Sequence, residues 1–426
     1  MTDFIQHSAL RYLIIGGVML AMSLPLALVS KVTQERQQYA DVAAEDVAAS
    51  WGGAQRVFGP MLIVPEVQRV EQRNSRGYEV WHEQQTERVY LPKRLNLAVE
   101  LPHQLRGRGA YDVPVYQAEL RLRGDFAAVV AQQDDTVTQL WDQARLVVGI
   151  SHTRAINSLS PLVFGEKQLP FKAGTLVADQ PGVHVPLGLD AQDGFDFDVT
   201  MVLRGSQALR LIPVADDSKL QAGSTWPHPS FAGRYLPDQR TISDAGFRAD
   251  WQVHELARDL PSQFTLLEHD LRQVGAAEMV LYQPITSYRF VDRGIKYGLL
   301  FIAMTFLVFV CFELVGISRL HIVQYAVVGL ALVLFYMATL ALSEHIHFGW
   351  AYAIASLVLV GLTGGYVWRA TGHRRVTLSL VVTLVSLYAL LFVLLSLETF
   401  ALLAGTTVLF FSLIALMWAT HRLRAA

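Results

Sequence analysis

The sequence of 426 residues is short of cysteine and of charge. Its single cysteine, Cys311, lies inside an apolar run, so the polar part of the chain has no pair of cysteines that could form a disulfide. Charged residues make up 17% of the sequence, against about a quarter in average soluble domains. The formal net charge is only −2, which gives no electrostatic reason to expect nucleic acid as a partner. These absences disfavour a disulfide-rich secreted domain and a nucleic-acid-binding protein, and they favour a membrane protein.

Motifs of enzyme active sites are also missing. The sequence has no glycine-rich phosphate loop, no Gly-x-Ser-x-Gly, no His-Glu-x-x-His and no Ser-x-x-Lys. Each of these patterns holds a nucleophile, a base, a metal or a phosphate at a spacing that its chemistry needs. Because none is present, we predict a protein that is not an enzyme and that has no metal and no cofactor.

Long apolar runs are present near the N-terminus and throughout the C-terminal third. A helix needs about 20 mostly apolar residues to cross a bilayer core of about 30 Å. Six runs approach that length: 12–29, 297–317, 323–342, 350–368, 376–395 and 400–419. The first could be a cleaved signal peptide, but no small-x-small cleavage site follows before Lys31. We predict an uncleaved signal anchor and a bundle of six membrane-spanning helices.

Basic residues orient these spans. If the N-terminus is cytoplasmic, the short periplasmic hairpins contain no Lys or Arg, only Glu344 and Glu398. All basic residues of the short loops and of the C-terminal segment then fall on the cytoplasmic side: Arg319, Arg369, Arg374, Arg375, Arg422 and Arg424. Positive residues concentrate on that side of inner-membrane proteins. We therefore predict that both termini are cytoplasmic and that the long section 31–293 is periplasmic.

The section 31–293 is expected to begin as a helix and to continue as strands. Apolar residues recur with a helical period over 31–51, and the Gly52-Gly53 pair would end that helix. Beyond it, short segments rich in β-branched and aromatic residues are separated by Gly, Pro, Asp and Asn. Residues 116–122 alternate polar and apolar, and 278–290 is expected to be the last strand. The pattern predicts a mainly β, sandwich-like domain.

The predicted organisation therefore has three parts. Residues 1–30 form an N-terminal cytoplasmic segment and the first helix. Residues 31–293 form the periplasmic domain, with a helical stalk at 31–51, and residues 294–426 form five further helices.

One segment is distinctive, and it leads to a family resemblance. It reads Ser224-Thr225-Trp226-Pro227-His228-Pro229-Ser230-Phe231, and it is joined by Asp292-Arg293, Lys296-Tyr297, Arg319-Leu320-His321 and Gln324-Tyr325. Together these residues resemble the CreD family of cell-envelope integrity proteins of the bacterial inner membrane. The resemblance implies a protein tied to envelope stress, and it implies no molecular activity. Two departures are Ile322, where a proline is common in the family, and Ala155, where the family has glycine in an Asp-x-Arg-Gly-Ile element whose acid is also missing.

Glu313 places a carboxyl group inside a predicted span, roughly 9 Å from the bilayer centre at about 1.5 Å per residue. An ionised acid at that depth must be paired or protonated. One hypothesis is a proton or ion relay, which would make the C-terminal helices a transporter or channel. The other is a helix-packing bond to Gln324 or Tyr325, or an ion pair with Arg319. We favour the packing hypothesis.

Two other groups are candidate functional sites. Glu344, His345 and His347 lie close together in a predicted periplasmic hairpin, where they could bind a metal, respond to pH or form a plain interfacial loop. We favour the plain loop. His321 and Arg319 are the candidates in the cytoplasmic turn that matches the family.

The Trp226-Pro227-His228-Pro229 segment is expected to be a rigid turn, because each proline restricts its own φ angle and the residue before it. Trp226 and Phe231 would anchor this turn to the sheet or to the membrane surface. The alternative is a loop in which Trp226, His228 and Phe231 bind a partner.

The predicted function is a non-catalytic role in envelope integrity, through a periplasmic domain that binds a partner or acts as a scaffold. The expected partners are membrane lipids and an unidentified envelope protein or cell-wall component. Gly361 and Gly365 form a Gly-x-x-x-Gly face, which also allows a homo-oligomer.

Overall fold

The computed structural model describes residues 2–73, 79–109, 111–129, 136–266, 268–281, 287–314 and 321–396, together with 406 and 410. The chain divides into two compact units. The helical unit comprises Met1–Asp41 and Ile285–Ala426, and the β unit comprises Val42–Pro284.

Seven α-helices occur in the described residues. They are α1 Thr2–Ala21, α2 Ser23–Trp51, α3 Ser287–Lys296, α4 Gly298–Leu314, α5 Ile322–Ser343, α6 Phe348–Thr371 and α7 Arg374–Ser396. Four helical stretches of the described chain are long and apolar enough to cross a membrane: Leu10–Trp51, Ile322–Ser343, Phe348–Arg369 and Thr377–Ser396. The pair α3 and α4, bent by 49°, would make a fifth. The predicted span over 400–419 lies outside the described residues, except for 406 and 410.

α1 and α2 form one long helical stretch with a break at Met22. Pro25 has no N–H to donate to the carbonyl of Ala21, which removes one helical hydrogen bond. The N–H of Met22 still donates to Val18 O at 3.2 Å, and the N–H of Leu26 donates to Met22 O at 3.2 Å. The stretch ends at Trp51, directly before Gly52, whose φ of 142° is one that glycine adopts readily.

The expectation of a single strand over 278–290 is wrong. The last strand ends at Leu281, and Ser287 begins α3. The reason is a helical spacing in a short segment, since Tyr288, Val291 and Ile295 are all buried on one side of α3.

Twenty β-strands occur in the described residues. They are β1 Gln55–Arg73, β2 Glu79–Tyr90, β3 Arg94–Leu101, β4 His103–Arg108, β5 Tyr111–Phe126, β6 Val137–Gln139, β7 Arg145–Ile150, β8 Ile156–Leu159, β9 Leu162–Phe164, β10 Lys167–Leu169, β11 Lys172–Ala173, β12 Gly182–Pro186, β13 Phe195–Ser206, β14 Ala208–Ile212, β15 Asp217–Ser224, β16 Pro229–Gly233, β17 Gln239–Ser243, β18 Gly246–His254, β19 Gln263–Thr265 and β20 Ala277–Leu281. The prediction of a mainly β domain is confirmed.

The strands form two large sheets and one small one. A ten-stranded sheet follows the order β11-β12-β7-β1-β14-β20-β16, with β2 and β6 also paired to β1 and β19 paired to β2. An eight-stranded sheet follows the order β17-β18-β15-β3-β5-β13-β8, with β4 paired to β5, and β9 pairs with β10. Most neighbours are antiparallel, but β1 with β14 and β3 with β15 are parallel.

A single buried cluster contains side chains of both large sheets. Leu62 and Ile63 of β1 belong to it, as do Leu120 and Leu122 of β5. The predicted alternation over 116–122 is confirmed, because the apolar side chains of this stretch are buried whereas Glu119 and Arg121 are exposed. β5 therefore buries one face, whereas β1 is buried on both faces where it contributes the consecutive residues Leu62 and Ile63.

Candidate functional site

α4 runs antiparallel to the helical stretch of α1 and α2. A Cβ added at Gly298, at the start of α4, would lie 2.9 Å from Leu26 Cδ2. At the other end of α4, Glu313 meets Arg11 of α1. Leu26 and Arg11 lie fifteen residues apart on the α1–α2 stretch, and Gly298 and Glu313 lie fifteen residues apart on α4. These equal spacings match two helices that lie side by side and run in opposite directions.

Glu313 lies in a polar cluster that we call the Arg11 cluster, formed by Arg11, Glu313 and Tyr325. Glu313 Oε1 is 2.7 Å from a guanidinium nitrogen of Arg11, and the Glu313 side chain is only 5% exposed, against 30% for Arg11. The hydroxyl of Tyr325 on α5 is 3.4 Å from Glu313 Oε2 and donates to it. Both carboxylate oxygens therefore have partners, as burial of a charge requires. The cluster joins α1, α4 and α5.

Of the predicted partners of Glu313, only Tyr325 is observed among the described residues. Gln324 instead accepts a hydrogen bond from the N–H of His321, and Arg319 lies outside the described residues. Arg11 was missed by the sequence analysis. Its position could have indicated the pair, because a residue early in one span and a residue late in the next antiparallel span lie at the same end of a bundle.

A second polar cluster, the Glu344 cluster, consists of Arg36, Tyr288 and Glu344. Glu344 is the C-terminal cap of α5, and its Oε1 is 3.8 Å from Arg36 Nε of α2. The hydroxyl of Tyr288 on α3 donates to the same oxygen at 3.3 Å. This cluster therefore joins α2, α3 and α5, as the Arg11 cluster joins α1, α4 and α5.

The distance between the two clusters is close to the thickness of a membrane. Tyr325 and Glu344 lie nineteen residues apart along α5. At a rise of about 1.5 Å per residue this spacing is about 29 Å, and a bilayer core is about 30 Å thick. The polar clusters thus lie at the two ends of a helical stretch of membrane length.

The two histidines beside Glu344 have local structural contacts. Nδ1 of His347 accepts a hydrogen bond from the N–H of Gly349 at 3.2 Å and caps the N-terminus of α6. His345 is exposed in the turn, and its N–H donates to Leu342 O at 3.0 Å. Within the described residues, no three His, Cys, Asp or Glu side chains are arranged to hold a metal ion.

His321 is also a helix cap. Its Nδ1 accepts from the N–H of Val323 at 3.3 Å, and the side chain of Gln324 accepts from the N–H of His321 at 2.9 Å, which completes a capping box at the start of α5. Ile322, which replaces the family's common proline, is the first residue of α5. Proline is well tolerated at that position, so the family pattern and this sequence are both compatible with the same helix start.

The Trp226 loop connects the two large sheets, since β15 belongs to the eight-stranded sheet and β16 to the ten-stranded one. Trp226 is buried, its Nε1 donates to His228 O at 3.0 Å, and its ring lies edge-on to His103 at 5.1 Å. Phe231 on β16 packs against Phe247 at a ring distance of 5.4 Å. These contacts are those of a turn anchored to the sheets. His228 is exposed at its tip.

The glycines of α6 differ in what surrounds them. A Cβ at Gly364 would lie 2.8 Å from Val381 Cγ2 of α7, so this glycine allows close packing inside the chain. A Cβ at Gly361 or Gly365 would meet no atom of the described chain within 4 Å. The homo-oligomer predicted through these two residues stays a prediction.

The sequence matches one protein family along nearly its whole length. Residues 7–425 match the family described as inner membrane protein CreD. The inner membrane protein CreD of Escherichia coli is 29% identical over 413 residues, which make up 96% of this chain and 91% of that protein.

Solved structures give only weak likenesses. A mutant M1 zinc metallopeptidase of Deinococcus radiodurans aligns with 44% of this chain at 9% identity and a TM-score of 0.21. The same mutant bound to a Tyr-ser-ala substrate aligns with 44% at 8% identity and a TM-score of 0.22. The chain spans only 41% of the length of each, and likenesses at this level carry no argument about function.

Proposed function

The chain belongs to the CreD family, and from that premise we propose that it is a non-catalytic protein of cell-envelope integrity whose β unit binds or scaffolds a partner in the periplasm. It is a multi-pass inner-membrane protein. The observation that carries the proposal is the β unit itself. Val42–Pro284 make up more than half of the chain and form a folded unit with its own core, inserted between apolar helical stretches.

The proposed membrane domain has six spans. They are the α1–α2 stretch, the bent pair α3–α4, the helices α5, α6 and α7, and the apolar run over 400–419. Arg369 lies in the last turn of α6, and Arg374 and Arg375 begin α7, so all three flank the α6–α7 loop. Glu344 lies between α5 and α6. This distribution supports a cytoplasmic α6–α7 loop, cytoplasmic termini and a periplasmic β unit.

Labelling with an impermeant reagent tests this orientation. In a Cys311→Ser background, His345→Cys and His373→Cys each place one thiol in a short loop, on opposite sides of the proposed membrane. We expect a membrane-impermeant maleimide to label His345→Cys in spheroplasts and His373→Cys only after lysis. The reverse pattern would show that the proposed orientation is wrong.

The Trp226 loop is the proposed contact with a partner. Its backbone is restrained by two prolines and by the buried Trp226, and it presents His228 to solvent. A rigid exposed loop loses little conformational entropy on binding. Lys219, exposed on β15 of the same unit, provides a matched control position.

Photo-crosslinking in cells tests this contact. A photoreactive residue at position 228 should capture a defined envelope component, and the same residue at position 219 should not. Equal capture at both positions would remove the support for the loop. If, in addition, deletion of the chain left envelope permeability unchanged under stress, the proposed function would be wrong.

The alternative of a transporter or channel depends on Glu313. Its carboxylate is already held by Arg11 and Tyr325, which supports a role as a clamp between helices rather than as an open ion site. Reconstituted protein whose proton or ion flux was abolished by Glu313→Gln would favour the alternative.

A further inference from the structure

A polar cavity of about 600 Å³ lies between α2 and α3 within the helical unit. On the α2 side it is lined by uncharged polar side chains and Asp41, and on the α3 side by Tyr288 and a charged face. That face consists of Arg289, Asp292, Arg293 and Lys296. The volume is in the range of small-molecule sites, about 300–1,000 Å³.

The cavity lies where the apolar part of each helix ends. On α2 the lining begins at Thr33, just after the apolar stretch. On α3 it ends at Lys296, two residues before the apolar helix α4 begins at Gly298. In a bilayer this is the level of the lipid headgroups, where phosphate groups are concentrated.

One cationic atom of the cavity lacks a hydrogen-bond partner among the described residues. Lys296 Nζ is 2.9 Å from Asp292 Oδ2, and Gln37 Nε2 donates to Asp41 Oδ1 at 2.9 Å. Nη1 of Arg293 is buried and has no hydrogen-bond partner among the described residues. The lining contains three cationic and two acidic side chains, so its formal charge is positive by one.

Leaving a buried guanidinium N–H without an acceptor is unfavourable, and a bound anion would offset that cost. We propose that this cavity binds the phosphate group of an anionic ligand, with Arg293 as the main donor and Arg289 beside it. Guanidinium groups suit the geometry of phosphate oxygens. The remaining volume, lined by glutamine amides, is large enough for a glycerol-type headgroup. This inference does not depend on the role proposed for the β unit.

Ligand binding to the full chain in an uncharged detergent tests the proposal. The probes are short-chain phosphatidylglycerol, glycerol 3-phosphate and a diacylglycerol of equal chain length that has no phosphate. We expect Arg293→Gln to weaken binding of the phosphate probe at least about tenfold, since hydrogen bonds to charged groups contribute about 1.5–3 kcal/mol. Arg293→Lys keeps the charge but loses the planar fork, so it should weaken binding less.

Lys31→Gln is the matched control. Lys31 lies on α2 at the same end of the helical unit and is exposed, but it does not line the cavity. Its loss should change affinity less than about twofold, because exposed charges contribute little. Circular dichroism and gel filtration check that each variant folds. If Arg293→Gln does not fold, the comparison is made between Arg293→Lys and Lys31→Gln.

The outcomes separate the two sources of phosphate. Binding of phosphatidylglycerol alone, weakened by the Arg293 variants, supports a lipid headgroup. Equal binding of glycerol 3-phosphate with the same dependence on Arg293 supports a soluble phosphate ester. The proposal is overturned if the diacylglycerol binds as tightly as phosphatidylglycerol, if no phosphate probe binds, or if the Arg293 and Lys31 variants weaken binding equally.

Discussion

Charged pairs are arranged differently in the two units. In the helical unit, the ion pairs of the Arg11 and Glu344 clusters lie at opposite ends of α5. Between them, buried hydroxyls such as those of Thr305 and Thr339 donate to carbonyls of their own helices, at 2.9 and 2.8 Å. Lipid supplies no hydrogen bonds, so polar groups at that depth must be satisfied locally.

The β unit instead has buried charges both in a sheet and in a loop between strands. Glu66 of β1 is buried and accepts from Nε of Arg88 of β2 at 2.8 Å. Arg258 is only 1% exposed, yet it pairs with Asp216 at 2.8 Å. In both pairs the partner of the buried charge is more exposed, at 26% for Arg88 and 36% for Asp216, so the pair reaches solvent through one member. Charged pairs of the helical unit thus lie at the ends of a helix, whereas those of the β unit compensate each other within its fold.

The largest effect is expected for Arg258→Met. Arg258 donates to Leu260 O and Val214 O at 2.7 Å each, so its loss leaves two carbonyl groups and Asp216 without this partner. We expect the free energy of unfolding of the β unit to fall by about 3–5 kcal/mol, measured by urea unfolding of the full chain. Arg272→Met is the control, because Arg272 is exposed and pairs with Asp270 at the surface. Similar losses for the two variants would contradict the comparison.

The next effect is expected in the Arg11 cluster. Glu313→Gln removes the charge that faces Arg11 and should lower stability in detergent by about 1.5–3 kcal/mol, as for hydrogen bonds to charged groups. Because both residues act in one pair, the double variant Arg11→Gln with Glu313→Gln should lose less stability than the two single variants lose in sum. Thermal unfolding of all four proteins measures this coupling. Strict additivity would mean that the ion pair does not stabilise the bundle.

A smaller effect on stability is expected for substitutions of the glycines of α6, where Gly364 faces α7 and Gly361 does not. Gly364→Leu should lower thermal stability by about 1–3 kcal/mol, because a side chain there overlaps Val381 of α7. Gly361→Leu meets open space in the described chain and should leave the fold intact. Native mass spectrometry of Gly361→Leu then tests the predicted homo-oligomer, which should dissociate into monomers if it uses this face.

The smallest effect is expected at the surface of the β unit. Hydrogen bonds from Arg121, with Arg123 also in contact, hold the pKa of Asp198 below its ordinary value. A lowered folded pKa means that the stabilisation is present above the unfolded pKa and is lost as pH falls through the folded value. Asp198 is 38% exposed, so Asp198→Asn should cost at most about 1 kcal/mol at neutral pH. The difference from the unchanged protein should vanish in acid, and a difference independent of pH would contradict this assignment.

Local patterns explain which parts of the fold were predictable. The limits of α5, α6 and α7 lie within three residues of the predicted spans, and β5 shows the predicted alternation. Apolar length and period are properties of neighbouring residues, so they can be read without knowing the tertiary structure. α3 was missed because one face of a ten-residue helix gives too few apolar positions to distinguish it from a strand.

For the candidate residues, too, the sequence indicates an unusual side chain but not its contacts in the fold. Glu313 was identified because a carboxyl group inside an apolar run is unusual, but its partner Arg11 is about three hundred positions away in sequence. His321 and His347 were singled out for chemistry, whereas their contacts are helix caps that depend on where α5 and α6 begin. In the sequence Arg293 stands out only as part of a family pattern. That its Nη1 has no partner in the described part of the chain can be recognised only once α2 and α3 define a cavity.

The membrane character of this protein, its mainly β insert and its family can all be read from the amino-acid sequence, because hydropathy, alternation and motifs are local. Three features emerge only from the folded structure: the Trp226 loop crosses between two sheets, β1 and β14 are parallel neighbours, and Arg11 pairs with Glu313. These pairings join distant residues. They are selected by burial and charge compensation over the whole folded unit, and that selection has no signature in any short segment of the chain.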